Sequence, residues 1–254
     1  MAKKIQKIVI GNWKMNPQTL EEAKKVFVGT RKVATGAKKV VTVVCPPFAY
    51  IHDLAKLAKK EIKVGAQDIF YEESGSYTGE VSPYIVGNLG VTHVIIGHSE
   101  RRALGETDEI IAKKVSATLK AGLVPVICIG EKTRSSEGEH LEVIKNQLLS
   151  SLSKLPRKSL SGIIVVYEPV WAVGASAAMS PGDLHEMTIF IRKVLTDAYS
   201  ADSAKSIAIL YGGSVTPKNT LEIVRDGQVD GLLVGRDSLN AVNFGEIISL
   251  VNTL

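Results

Sequence analysis

The sequence predicts a single closed (β/α)8 barrel, and three observations carry that reading. Eight short β-branched runs alternate with amphipathic helical stretches, without a break, over 254 residues. That count and length suit a closed parallel barrel. The turn after the first strand is Gly11-Asn12-Trp13-Lys14-Met15-Asn16. It is not the Gly-x-Gly-x-x-Gly turn with which an open, doubly wound sheet usually begins.

Each element follows from its pattern. Strands are expected at Lys7–Ile10, Val40–Cys45, Ile62–Ala66, His93–Ile96, Val124–Ile129, Ile163–Tyr167, Ser206–Leu210 and Gly231–Val234. Most are near-continuous apolar runs, as buried parallel strands require. Between them, Leu20, Ala23, Phe27 and Val28 mark one face of a helix over Leu20–Val33. Leu141, Ile144, Leu148 and Leu152 do the same over Leu141–Leu155, and a last helix is expected at Phe244–Val251. Thr107-Asp108 and Ser180-Pro181 are helix starts, with a capping hydroxyl before an acid or a proline. There is no linker and no low-complexity stretch, so residues 1–254 read as one domain.

Composition narrows the function. The chain is 45% hydrophobic and 22% charged, ordinary for a globular protein. No apolar run approaches the ~18 residues of a membrane span. The N-terminus runs into a strand pattern with no secretory apolar core. Cys45 and Cys128 lie in apolar strand runs and read as small buried hydrophobes, neither a staple nor a metal pair. The expected compartment is the reducing cytoplasm. The net charge of +5 comes from basic pairs scattered over helices and strand starts, with no aromatic-interleaved patch. Nucleic acid and membrane are therefore not expected partners, whereas an anionic small molecule is favoured by steering.

Barrel chemistry belongs at the C-terminal ends of the strands. Those ends carry Asn12 and Lys14, then Gln67 and Asp68, then Gly97-His98-Ser99-Glu100-Arg101-Arg102. Gly130-Glu131, Glu168, Tyr211-Gly212-Gly213-Ser214 and Gly235-Arg236 follow. Glu168 ends an apolar run, is fixed by Pro169, and precedes the small residues Gly174-Ala175-Ser176-Ala177-Ala178. This is how a general base under a mobile lid would be built, and equally how a strand could close on a surface acid before a loose loop. His98 could be a core histidine bonded to a carbonyl. Glu100-Arg101-Arg102 reads as a structural ion-pair cluster. The Gly212-Gly213-Ser214 and Gly235 turns are expected to present free N–H groups at helix N-termini, where phosphate binds. One carboxylate, one imidazole, one lysine, a lid and a phosphate cradle suit proton abstraction beside a carbonyl on a small phosphorylated sugar. That toolkit needs no metal and no cofactor.

Taken in order, these segments resemble the triosephosphate isomerase family from end to end. They include Ala66-Gln67-Asp68, Tyr77-Thr78-Gly79-Glu80-Val81-Ser82, Cys128-Ile129-Gly130-Glu131 and Tyr167-Glu168-Pro169-Val170-Trp171-Ala172. Val229-Asp230-Gly231-Leu232-Leu233-Val234-Gly235 completes the set. The resemblance implies the family's TIM barrel. It also implies interconversion of dihydroxyacetone phosphate and D-glyceraldehyde 3-phosphate through an enediolate, a step of glycolysis and gluconeogenesis. By similarity Glu168 is the base and His98 a neutral electrophile. Lys14 supplies positive charge and Asn12 a further hydrogen bond. The N–H groups of Gly174, Ser214, Gly235 and Arg236 hold the phosphate, and Glu100 supports Lys14. The resemblance further implies a homodimer in which the Gln67–Glu80 loop, with Thr78, touches the partner.

The chain departs from the family in two places. Ser176 stands where most members have a second lid glycine, and the far hinge is Ala177-Ala178-Met179. A serine at a left-handed position would cost about 1 kcal/mol in one lid state. Arg236-Asp237 replaces a common Gly-Ala pair, with the Arg236 side chain expected to point away from the phosphate. Two rival readings accompany the isomerase. Another barrel isomerase of a longer phosphorylated sugar would need extra polar strand ends, and none stand in excess. A non-catalytic or altered-rate homologue would lose Glu168, His98 or Lys14. All three are present, and only the lid changes favour that reading.

Overall fold

The structure is a computed structural model, and it describes residues 6–134, 137–156, 160, 162–173 and 178–254. Eight parallel strands close on themselves in sequence order. They are β1 (Lys7–Asn12), β2 (Val40–Cys45), β3 (Ile62–Ala66), β4 (Val91–Ile96), β5 (Val124–Ile129), β6 (Ile164–Tyr167), β7 (Ala208–Tyr211) and β8 (Gly231–Val234). Closure is made by β1 against β8, with Ile8 opposite Gly231 and Gly11 opposite Val234.

The alternation of side chains divides the core in two. Ile10, Val43, Cys45, Ile95, Val126, Cys128, Val166, Leu210 and Leu233 fill the barrel interior. Their neighbours Val9, Val44, Val94, Ile127, Val165 and Ile209 face out and pack beneath the helices. Each such aliphatic side chain contributes about 1.5–3 kcal/mol by leaving water. Both cysteines are free and buried. Burial pushes the two thiols well above their usual range, which makes them packing groups rather than nucleophiles.

The connections carry more helix than the expected eight. Ten α-helices stand among the described residues. Six follow the simple plan: α1 (Leu20–Ala34), α2 (Phe48–Leu57), α3 (Pro83–Asn88), α6 (Glu139–Leu152), α9 (Thr220–Asp226) and α10 (Ala241–Asn252). Two connections are doubled. β4 is followed by α4 (Ser99–Ala103) and α5 (Asp108–Lys120), and β6 by α7 (Pro181–Ala198) and α8 (Ala201–Ser206). The hydroxyls of Thr107 and Ser180 cap α5 and α7 at the expected residues. Because Ser206 closes α8, the seventh strand runs from Ala208 to Tyr211 instead of Ser206–Leu210. The first strand is two residues longer than expected, so Asn12 still pairs with Cys45 in the ladder and sits at the barrel mouth.

Candidate active site

Asn12 ends β1, almost wholly buried, and its Oδ1 accepts the Lys14 N–H at 3.0 Å. That bond holds Lys14 in a left-handed turn, φ 53°, a region non-glycine residues seldom enter. The turn is pinned on both sides. The Trp13 indole is fully buried and donates to the Ser238 carbonyl at 3.0 Å. Gln67 Nε2 donates to the Lys14 carbonyl at 2.8 Å and to the Cys45 carbonyl at 2.9 Å. With its backbone fixed this way, Lys14 reaches Glu100 Oε1 at 2.6 Å.

His98 stands just before α4, and its ring is buried. Its Nδ1 accepts the Glu100 N–H at 3.2 Å. A ring nitrogen that accepts a hydrogen bond has no proton, so the neutral ring carries its proton on Nε2. Nε2 faces Glu168 Oε1 at 3.2 Å, and the other carboxylate oxygen accepts the Ser99 N–H at 3.3 Å.

Glu168 is 2% exposed. Two neighbouring glycines leave it room. A Cβ on Gly212 would sit 2.7 Å from Glu168 Cγ, and one on Gly130 would sit 1.7 Å from the Glu168 carbonyl oxygen. Beyond Pro169 the chain makes a 3-10 turn over Val170–Ala172. The buried Glu131 anchors that turn, accepting from Tyr167 Oη and from Trp171 Nε1, each at 2.9 Å. Burial, and then the Glu131 charge, hold the Tyr167 phenol above its usual range, so it stays a donor. In the sequence Glu131 reads only as a strand-end residue, and its partners Tyr167 and Trp171, 36 and 40 residues on, leave no local signal of the contact.

The lid residues Gly174, Ala175, Ser176 and Ala177 lie outside the described residues. Past them, Ala178 packs on the core, and the Met179 N–H donates to Tyr211 Oη at 3.1 Å. In the sequence Tyr211 reads only as part of a glycine-rich turn; in the structure its hydroxyl holds Met179, just past the segment expected to form the lid.

The two glycine-rich turns expected to hold phosphate differ from expectation in one respect. Gly235 does precede a helical start, the 3-10 turn Arg236–Leu239. The Gly212-Gly213-Ser214 turn does not, because α9 begins only at Thr220. Asn219 shapes the loop between them by bonding the Ser214 carbonyl and the Thr216 N–H. The N–H groups of Ser214, Gly235 and Arg236 engage no acceptor among the described residues. These N–H groups, Asn12, Lys14, His98 and Glu168 share one cavity of about 280 Å³. The volume admits a small ligand and little more. Glu100 is not part of its wall and meets it only through Lys14. Thr78 is elsewhere, on the exposed segment 72–80. Among the described residues no group of three or more His, Cys, Asp or Glu could hold a metal ion.

The family model of triosephosphate isomerase matches residues 7–251. The chain belongs to the triosephosphate isomerase family. The triosephosphate isomerase of Natranaerobius thermophilus is 41% identical, covering 96% of this chain and 95% of its own. That of Dictyoglomus thermophilum is 39% identical over 96% and 98%, and that of Moorella thermoacetica 42% over 95% and 97%. Triosephosphate isomerases are intramolecular aldose–ketose isomerases, and the cavity lies where a barrel of this family would keep such a reaction, at the C-terminal strand ends.

Proposed function

We propose that this cavity interconverts dihydroxyacetone phosphate and D-glyceraldehyde 3-phosphate, with Glu168 as the base. The observation that carries the assignment is the 3.2 Å contact between Glu168 and the protonated Nε2 of His98, in the same cavity as Lys14 and the free N–H groups. In the resting site the carboxylate is engaged by His98 and Ser99. A substrate carbonyl that takes the Nε2–H in its place frees Glu168 Oε1 for the neighbouring C–H. The carboxylate then removes that proton, and the C–H electron pair moves onto the carbonyl oxygen as an enediolate. His98 gives its Nε2 proton to that oxygen and takes the hydroxyl proton from the neighbouring oxygen, which becomes the new carbonyl. Lys14 and Asn12 offset the developing charge, and Glu168 returns the first proton to the adjacent carbon. No redox partner is consumed.

Magnitudes support this division of labour. A carboxylate with pKa ~4.3 in water is a weak base toward carbon. One preorganised donor contributes roughly 3–4 kcal/mol to such a transition state. Ser214, Gly235, Arg236 and Gly174 supply main-chain N–H groups to the phosphate, and Glu100 orients Lys14. Removing bulk water from an already buried Glu168 strengthens every one of these contacts.

The same reading makes residues 1–254 one cytoplasmic domain and the chain a homodimer. The Gln67–Glu80 loop, with Thr78 exposed, has the form of an arm for a partner. Near Lys14, Met15 is 84% exposed and Leu104 77%, on a groove also lined by Phe48 and Gly79. Exposed apolar groups of that size are what a second subunit would cover. No helix of the described residues is long and apolar enough to cross a membrane.

A coupled assay with glyceraldehyde 3-phosphate tests the chemistry. Glu168→Gln is expected to lose at least about 10³-fold in kcat, since it removes the base outright. Equal turnover in the two proteins rejects Glu168 as the base. Sedimentation beside the assay tests the arm: a fully active monomer rejects it.

A further inference from the structure

We propose that the Arg236 guanidinium gives the substrate phosphate a second hold, made by a side chain and added to the main-chain N–H groups; this rests on the isomerase reading above. Arg236 is exposed and forms part of the wall of the catalytic cavity, beside Ser214, Gly235 and Lys14. It has no ion pair or hydrogen bond from its side chain among the described residues. Every other arginine described has one. Arg31 bonds the Leu57 carbonyl, Arg101 pairs with Glu106, and Arg102 with Asp108. Arg134 lies by Glu131 and Asp183, Arg192 by Asp230, and Arg225 by Asp226. Among the described residues Arg236 is the one arginine without an ion pair or hydrogen bond from its side chain, and it lines the cavity of the anion site, against the expectation that its side chain points away.

The charges of the cavity wall point the same way. Lys14 and Glu168 offset each other there, and the Lys14 ammonium is already engaged by Glu100. Asp237 also lines the wall, its carboxylate bonded to Asn243 Nδ2 at 2.7 Å and not to Arg236. Without Arg236 the wall would carry net negative charge toward a dianionic phosphate monoester. With it the wall is neutral before the ligand arrives. A guanidinium on its flexible stem can reach a phosphate held at its own N–H, and its planar fork matches two phosphate oxygens at once. The contact does not need the side chain to be buried, so it stays sensitive to salt.

The consequence is affinity for the dianion, distinct from the rate of proton transfer. The test compares wild type, Arg236→Gln and Arg236→Lys in calorimetric titrations with inorganic phosphate and in the glyceraldehyde 3-phosphate assay, each at low and high ionic strength. At low salt Arg236→Gln is expected to weaken phosphate binding and to raise KM by roughly three- to tenfold, with kcat falling less than KM rises. Arg236→Lys recovers part of the loss, and high salt shrinks the difference. Equal phosphate affinity in wild type and Arg236→Gln at low salt overturns the proposal. So does a loss that neither lysine restores nor salt reduces, because that would mark a change in shape. If wild type turns over no glyceraldehyde 3-phosphate, the isomerase reading fails, and the phosphate titration still decides on Arg236.

Discussion

Lys14 and Lys114 each hold a carboxylate oxygen within 2.7 Å, yet they are built for opposite ends. Lys14 makes one contact, Glu100 Oε1 at 2.6 Å, with its own side chain 32% exposed and that of Glu100 56% exposed. Lys114 makes three, to Asp68 Oδ1 at 2.7 Å, Asp68 Oδ2 at 2.8 Å and Glu106 Oε1 at 2.5 Å, with its side chain 3% exposed. Arg101 closes that second group by pairing with Asp68 at 3.1 Å and with Glu106 at 2.8 Å. An ammonium has three donors. Lys114 has used all of them out of water, and it can leave only by stranding two acids. Lys14 keeps donors in reserve and faces a cavity. Distance alone does not separate a lysine proposed to meet a ligand from a structural one. Burial and the number of bonds do.

The sharpest way to break this comparison is to delete each ammonium. Lys114→Met is expected to cost about 3–5 kcal/mol of stability in denaturant unfolding, because Asp68 and Glu106 lose a buried counter-charge. A cost below ~1 kcal/mol would show the network to be dispensable. Lys14→Met is expected to cost under about 1 kcal/mol in the same experiment, since its pair is exposed. Its kcat/KM should instead fall about 10²–10³-fold, the effect of losing one preorganised donor. Reversal of the two profiles would sink the distinction.

A pH titration sharpens it further. Burial, with the neighbouring Glu106 charge, holds the Asp68 carboxyl up at about 6. Against its own burial, the bond and charge of Lys114 hold Glu106 below the usual range. An acid whose proton is bound more tightly in the folded chain stabilises the fold at low pH. That contribution is complete below about pH 4 and is lost as pH rises through about 6. Relative to Asp68→Asn, wild type should therefore lose on the order of 1 kcal/mol between pH 4 and 6. Glu106 acts oppositely, losing its contribution as pH falls below its ordinary range, so the slope belongs to the pair. A flat difference across that range contradicts the shift. The smallest effect is at the surface: Glu100→Gln should change stability by no more than about 0.5 kcal/mol, and less again in high salt.

The barrel was legible because its signals are local. A β-branched run such as Ile163–Tyr167 announces a buried strand from its own residues, and a capping hydroxyl such as Ser180 announces the next helix. The positions of Asn12, His98 and Glu168 then followed from strand ends alone. What the chain hides is non-local. Asp68 and Lys114 are 46 residues apart, and a lysine on an amphipathic helix reads as solvated until the fold buries it. The left-handed backbone of Lys14 carries no glycine to mark it. It exists because Asn12 and Gln67 hold it. The short helices α4 and α8 were invisible for another reason, since five or six residues give the helical period too few turns to show.

One consequence reaches toward redesign. The space beside Glu168 is closed by main chain, with Gly212 against its side chain and Gly130 against its carbonyl. On that side no side chain can be truncated to make room. A longer sugar would have to extend the other way, toward the wall that holds Val215, Thr216 and Leu239. Redesign for four or five carbons therefore starts there and not beside the base.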